Sequence, residues 1–187
     1  MQIGILLAAG ASRRFGAANK LLAPMRGEAL IRHAAKAMLA VPDLAQRIAI
    51  TSDPAVFAAL PAGFSHHPIA SDQPMSASFR AGIAYAKAVN ARALVLCLGD
   101  MPGISPESLS QLIAQPGTSA CQSHGVRLPP IKLMAEDFDR AAALSDGDRG
   151  ARLFLQRLAP EALIALPAAE AMDIDTLADL HAFDRGL

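Results

Sequence analysis

The chain contains no tryptophan, and aromatic residues of all kinds make up only 4% of its 187 residues. A core must therefore be assembled from aliphatic side chains, mainly Ala, Leu, Ile and Val, and hydrophobic residues at 52% are enough to cover a sheet on both faces. Cysteine is scarce. Cys97 and Cys121 make no paired framework and no metal-ligand spacing, and Cys97, inside Leu94-Val95-Leu96-Cys97-Leu98, reads as a small core residue. A reducing, cytoplasmic setting is the expectation. An excess of one charge is also missing: Lys plus Arg and Asp plus Glu number 17 each, for a formal net charge of +0. The basic surplus of a duplex-binding protein is absent, so no nucleic-acid partner is expected, while a local basic site for one phosphorylated ligand stays compatible with neutrality. No apolar run is long enough to cross a bilayer, and Met1-Gln2 passes directly into the first strand without a basic, apolar leader, so no membrane partner is expected. Repeats, heptads and low-complexity tracts are missing, and Pro61-Ala62-Gly63 and Pro116-Gly117 are local turns. One domain over residues 1–187 is the reading.

What the chain does have is an alternation of strand-like runs with amphipathic or Ala-rich helical runs, the pattern of an α/β protein with a mostly parallel sheet. Strands are predicted near residues 2–7, 47–51, 93–98 and 119–122, with weaker ones near 65–67 and 162–166. Helices are predicted at 30–39, 54–60, 76–89, 106–114, 135–144, 151–157 and 176–185. Asp53 before Pro54, Ser105 before Pro106 and Asp175 before Thr176 are suitable helix starts.

The most informative stretch follows the first strand: Leu7-Ala8-Ala9-Gly10-Ala11-Ser12-Arg13-Arg14-Phe15-Gly16-Ala17-Ala18-Asn19-Lys20-Leu21-Leu22. Small residues leave backbone N–H groups free to approach an anion, and Arg13, Arg14 and Lys20 add three cationic side chains. Ala17 after Gly16 rules out a Walker A loop, and Ser at position 12 rules out a dinucleotide fingerprint. Lys20 supplies a compact point charge and Arg14 a planar fork for two phosphate oxygens, whereas Arg13 alternates with Arg14 and is assigned to solvent.

A second signal is Gly99-Asp100-Met101-Pro102, where a buried strand delivers an acid to its carboxyl end, the edge at which open α/β sheets bind ligands. Asp100 there could hold Mg²⁺ through oxygen, or cap a turn through its own backbone. The third is Met172-Asp173-Ile174-Asp175-Thr176-Leu177-Ala178-Asp179-Leu180. Asp173 and Asp175 face the same way in an extended segment, and Asp175 could equally be a plain N-cap. His66 and His67, on a short strand, are assigned a structural or exposed role.

These motifs resemble the nucleotidyltransferases that open with Leu-Ala-Ala-Gly-x-Ser-x-Arg-x-Gly and a nearby Lys, matched by Leu7, Ala8, Ala9, Gly10, Ser12, Arg14, Gly16 and Lys20. Leu21-Leu22-Ala23-Pro24 is most similar to the molybdenum cofactor cytidylyltransferase branch of the MobA-like NTP transferase family. The resemblance implies a three-layer α/β/α Rossmann-like nucleotidyltransferase domain with a mostly parallel sheet. It implies catalytic roles for Arg14 and Lys20 and nucleotide contacts from Leu7, Ala8, Ala9, Gly10, Ala11, Ser12, Ser78 and Gly82. It points to Asp100 and Asp175 as metal ligands, with Asp173 a helper and Mg²⁺ the cofactor. The Asp-x-Asp-Thr-Pro-x-Asp-Leu ending is matched except that Leu177 replaces Pro. Leu128 to Lys132 resembles the region facing the second substrate but lacks the Gly-His-Pro of some relatives, and Gly147-Asp148-Arg149-Gly150-Ala151-Arg152 resembles a further segment. Arg80 is placed to reach a phosphate or solvent.

The implied reaction joins CTP to a phosphorylated acceptor, molybdopterin-bound molybdenum, with Mg²⁺, and implies transient contact with molybdoenzyme maturation proteins. Ala8-Ala9-Gly10 favours CTP over the guanylyl branch, which tends to show Ala-Gly-Gly. The alternatives are a transferase using GTP or a sugar or polyol phosphate, a nucleotide-binding maturation partner without chemistry, and a structural α/β protein.

Overall fold

In the computed structural model, residues 1–10, 15, 19–71, 73–145, 147 and 150–185 are described. The chain runs β1 (Gln2–Leu7), a 3-10 turn (Lys20–Leu22), β2 (Pro24–Met25), β3 (Glu28–Ala29), α1 (Ile31–Leu39), β4 (Gln46–Thr51), α2 (Pro54–Ala59), β5 (Ser65–Pro68), α3 (Met75–Ala88) and β6 (Ala93–Leu98). It continues through α4 (Pro106–Ala114), β7 (Ser119–Ser123), β8 (Val126–Met134), α5 (Phe138–Ala143), α6 (Arg152–Leu155), β9 (Leu163–Ala165) and α7 (Leu177–Asp184).

Seven strands form one sheet in the order β5-β4-β1-β6-β8-β7-β9. β5, β4, β1 and β6 are mutually parallel, β9 is parallel to β7, and β8 runs antiparallel to both its neighbours. The fold is the expected α/β class with a mostly parallel sheet, and strand alternation explains its layers. Ile3, Ile5 and Leu7 of β1 and Leu94 and Leu96 of β6 face one way, against Phe79 and Ile83 of α3, Phe138 of α5 and Phe154 of α6. Leu6 of β1 and Val95 and Cys97 of β6 face the other way, against α1, α4 and α7. Gly4 lies on that second face because α1 packs close: a Cβ there would sit 2.7 Å from the Met38 methyl.

The sequence pattern did not predict β8. Pro129-Pro130 reads as a strand breaker, since proline cannot donate to a ladder. The sheet absorbs the pair at an irregularity: Ala120 pairs with Ile131 and Cys121 with Leu128, so the prolines fall in a register shift. Lys132, in the segment read as facing a second substrate, instead turns its buried ammonium to the carbonyls of Ile113 and Gln115 at the end of α4.

This topology positions a site. Chain order runs outward from β1 to β4 and β5 on one side, then returns to place β6 on the other. The connections after β1 and β6 lead to strands on opposite sides of the pair, which makes their carboxyl ends a topological switch point, the place where open α/β sheets form a ligand crevice.

Candidate active site

Lys20 opens the 3-10 turn that follows the β1 loop, and side chains hold that turn in place. Asn19 caps it, its Oδ1 accepting from the Leu21 N–H at 3.1 Å while its Nδ2 donates to Asp53 Oδ2 at 3.0 Å. Asp53 in turn caps α2, accepting from the Ala55 N–H at 2.9 Å, and its own N–H donates to Thr51 Oγ1 at the end of β4. Leu21, 3% exposed, inserts into the core. The Lys20 backbone is thus clamped between the β4–α2 junction and the sheet.

Asp100 follows β6 by two residues. The Gly99 N–H donates to the Leu7 carbonyl at 2.9 Å, extending the β1–β6 ladder to the lip of the crevice. A Cβ at Gly99 would meet Leu7 O at 3.3 Å and side chains of Ile31 and Leu21 at 3.4 Å, so a larger residue would crowd the very turn that aims Asp100.

Asp175 arrives from the far end of the chain because residues 167–175 are docked on the Asp100 turn. The Ile174 N–H donates to the Asp100 carbonyl at 2.9 Å, and Ile174 is fully buried. Glu170 Oε2 accepts from the N–H and hydroxyl of Ser105 at 3.0 and 2.9 Å. Gly103 makes the closest approach: a Cβ there would lie 2.1 Å from the Ala169 carbonyl oxygen. The helix start expected at Asp175 is corrected by one residue. Thr176 is the N-cap of α7, forming a capping box with Asp179, whose carboxylate also accepts from the Asp175 N–H. The Asp175 side chain is therefore available to point elsewhere.

It points at Lys20. The ammonium donates to Asp100 Oδ2 at 2.7 Å and to Asp175 Oδ1 at 2.8 Å, with side chains only 10%, 21% and 28% exposed for Lys20, Asp100 and Asp175. Burial works to lower the Lys20 pKa, but the charge and hydrogen bond of Asp100, then those of Asp175, outweigh it and leave it above the ordinary lysine value. The other lone pairs of Asp100 are in the opposite condition: its Oδ1 is buried and has no hydrogen-bond donor among the described residues. Asp173 stands beside the cluster, and local desolvation raises its carboxyl pKa, aided by the negative charges of Asp100 and Asp175.

Two acids and one buried orphan oxygen are hard, anionic donors suited to a hard divalent cation. No group of three or more His, Cys, Asp or Glu converges among the described residues. Two carboxylates suffice for Mg²⁺, which keeps several waters and takes further oxygens from a substrate phosphate. The residues present therefore fit such an ion.

The remaining sequence candidates sort clearly. Leu7 and Ala8 are buried, with the Leu7 carbonyl and the Ala8 N–H engaged by Gly99 and Ile50. Ala9 is partly exposed and Gly10 exposed, with none of the described residues where its side chain would be. Ala11, Ser12, Arg13, Arg14 and Gly16 lie outside the described residues, as do Asp148 and Arg149. Ser78 donates its hydroxyl to the Met75 carbonyl of its own helix, and Gly82 faces the sheet, where a Cβ would meet Ile5 at 3.1 Å. Arg80 donates to the Ser145 carbonyl, tying α3 to the end of α5, and to the Ser76 hydroxyl oxygen one turn back in its own helix. His66 stacks on Phe57 and His67 meets Tyr85 edge-on, both on the β5 edge and away from the cluster. Sequence reasoning missed Gly103, Glu170 and the Asn19–Asp53 clamp. The only local signal was the turn chemistry of Met101-Pro102-Gly103.

A model of the MobA-like NTP transferase domain matches residues 4–162, a span that includes Lys20 and Asp100 and stops short of Asp175. The purine catabolism protein PucB of Bacillus subtilis is 32% identical over 93% of this chain and 91% of its own length. The nicotine blue oxidoreductase of Paenarthrobacter nicotinovorans is 29% identical over 82% of this chain and 81% of its own. Among solved structures, Rv0371C of Mycobacterium tuberculosis, crystallised as a complex with manganese, superposes with a TM-score of 0.81 at 22% identity, covering 100% of this chain and 99% of that one. No helix among the described residues is long and apolar enough to cross a membrane.

Proposed function

Because the chain belongs to the MobA-like NTP transferase domain family, we propose that it transfers CMP from CTP to a phosphorylated acceptor, the molybdopterin-bound molybdenum cofactor, and releases pyrophosphate. Residues 1–187 act as one domain in this reading, and the reaction runs in the cytoplasm. The observation that carries it is the meeting of Lys20, Asp100 and Asp175, 80 and 155 residues apart in sequence, at the crevice between β1 and β6.

Nucleotidyl transfer forms a bond from an acceptor phosphate oxygen to the α-phosphorus and breaks the bond to the β-phosphate, so pyrophosphate leaves with the electron pair. A phosphate monoester is largely ionised at neutral pH, which removes the need for a strong general base. Alignment and charge stabilisation carry the step. Asp100 and Asp175 would hold Mg²⁺, with Asp173 nearby. Bound there, the ion supplies Lewis-acid neutralisation of triphosphate charge. The manganese bound by the Mycobacterium tuberculosis protein of the same fold agrees with a divalent cation in this role. Lys20 offers its ammonium to the phosphates, joined by Arg14 from the first loop. Ala9, Gly10, Ala11 and Ser12 approach the nucleotide through their backbone.

A pyrophosphate-release assay with each of the four NTPs, with and without the molybdopterin cofactor, tests the reading, together with calorimetric titration of CTP, GTP and ATP. CTP should bind and turn over best, because a site that hydrogen-bonds one base edge leaves groups unpaired with another. Tighter GTP binding would move the chain to guanylyl transfer, and no NTP binding would end the enzyme reading. A second reading is a nucleotide-binding partner in cofactor maturation that keeps the fold without the chemistry, which would bind NTP and release no pyrophosphate with any acceptor.

A further inference from the structure

We propose that Lys20 is a resident counter-ion that keeps the divalent cation out of its seat until a nucleotide arrives, so that metal and triphosphate enter together. This rests on the reading of Asp100 and Asp175 as the metal site.

Three observations support it. First, the ammonium already engages one oxygen of each acid, Asp100 Oδ2 at 2.7 Å and Asp175 Oδ1 at 2.8 Å. A cation that draws on the oxygens Lys20 now holds must break two charge-assisted hydrogen bonds, and the Asp100 oxygen that Lys20 leaves aside, Oδ1, offers it only one anionic atom, beside the ammonium's positive charge. Second, the three side chains are largely buried, so water compensates a displaced ammonium poorly and bulk salt screens the pairs little. Third, the backbone beneath Lys20 cannot follow. Asn19, Asp53 and the buried Leu21 fix it, which leaves rotation of the flexible side chain as the way out of the seat.

A triphosphate changes the balance because it offers Lys20 an alternative set of anionic oxygens in the same crevice. Metal and nucleotide then raise each other's affinity, by the same factor in each direction. Without nucleotide the cation must displace the ammonium with no triphosphate there to receive it. The arrangement would keep the site electrically quiet between turnovers.

The consequence is that a variant crippled in catalysis should bind metal better. Binding of Mn²⁺ alone, measured by the loss of its free electron paramagnetic resonance signal and by calorimetry, is compared in the parent and in Lys20→Met, Lys20→Gln, Lys20→Arg, Asp100→Asn and the double variant Lys20→Met with Asp100→Asn. The two neutral replacements guard against one failing to fold, which circular dichroism reports. Both should bind Mn²⁺ about tenfold tighter than the parent or more, the order expected when a charged hydrogen bond no longer has to be broken. Lys20→Arg should bind no tighter than the parent, and the double variant should lose the gain. The gain should persist in high salt, since contact pairs this buried are screened little.

Mn²⁺ binding by both neutral variants that matches the parent, with Asp100→Asn still weakening the parent, would overturn the counter-ion role and leave the metal site standing. A gain that disappears in salt would reduce the effect to the field of one charge and also overturn it. If Asp100→Asn leaves Mn²⁺ binding unchanged in both backgrounds, the metal-site reading fails and the proposal with it.

Discussion

A methyl group added at Gly103 would lie 2.1 Å from the Ala169 carbonyl oxygen, 3.0 Å from its carbonyl carbon and 3.1 Å from the Glu170 Cα. All three are backbone atoms, so no side-chain rotation relieves the overlap, and Ala169→Gly would not relieve it either. Restoring ordinary contact requires the 167–175 segment to retreat from the Asp100 turn by roughly 1 Å, in a core that normally gives only tenths. Overpacking of this kind costs about 1–3 kcal/mol. For a chain of this length that predicts a fall in thermal midpoint of roughly 2–12 °C. The retreating segment carries Asp175, so the separation of the two carboxylates should widen with it. Misplacement on the scale of 1 Å costs on the order of 10²-fold in rate, and Gly103→Ala should lose about that much pyrophosphate release at a temperature where it remains folded. Mn²⁺ affinity should fall in parallel. A folded Gly103→Ala protein with parental turnover and parental metal binding would refute the claim that this contact sets the acid pair.

Asp100→Asn should abolish metal-dependent pyrophosphate release, since it removes the anionic oxygen Mg²⁺ prefers. Its thermal midpoint should stay near that of the parent, because Lys20 keeps Asp175 as a partner. Glu28 accepts from Lys36 and Arg32, and the Lys36 hydrogen bond leads in holding its carboxyl below the ordinary range. A carboxylate with a depressed folded pKa stabilises above its unfolded pKa and loses that effect as pH falls through the folded value. Glu28→Gln should therefore be less stable than the parent at pH 7, by a small margin, and the two should converge in acid once the pH has fallen through the depressed folded value of Glu28, in parallel thermal melts. Burial pushes the Cys121 thiol up to about 12 and raises that of Cys97 as well. Both should resist iodoacetamide at pH 8 in the native protein and react fully in denaturant, as mass spectrometry would record.

Much of this was readable from the chain because the informative residues lie next to strong local patterns. Leu94 to Leu98 is an unbroken apolar run, so the placement of Asp100 at a strand's carboxyl end followed from the sequence. Lys20 was legible through the small residues that precede it. What could not be read was the relation between them. Nothing local ties Lys20 to an acid 155 residues later. That pairing depends on residues 167–175 lying against the Asp100 turn, and the features that allow it are a glycine that looks like ordinary turn punctuation and a glutamate that looks solvated. β8 was hidden for a related reason: Pro129-Pro130 breaks the local rule, and only the register shift opposite Cys121 shows how the sheet accommodates it. The Asp175 cap was misplaced by one residue because Asp and Thr are both good caps, and the choice between them was made by Asp179.

The span between Lys20 and Asp175 also has a meaning in time. A ribosome adds roughly 5–20 residues per second, so at those rates Asp175 is joined to the chain roughly 8–30 s after Lys20. Asp100, 80 residues after Lys20, joins the chain about midway through that interval and can then find the lysine, but the second acid does not yet exist. Whatever the cluster recognises, a growing chain that has not yet reached Asp175 presents it incomplete.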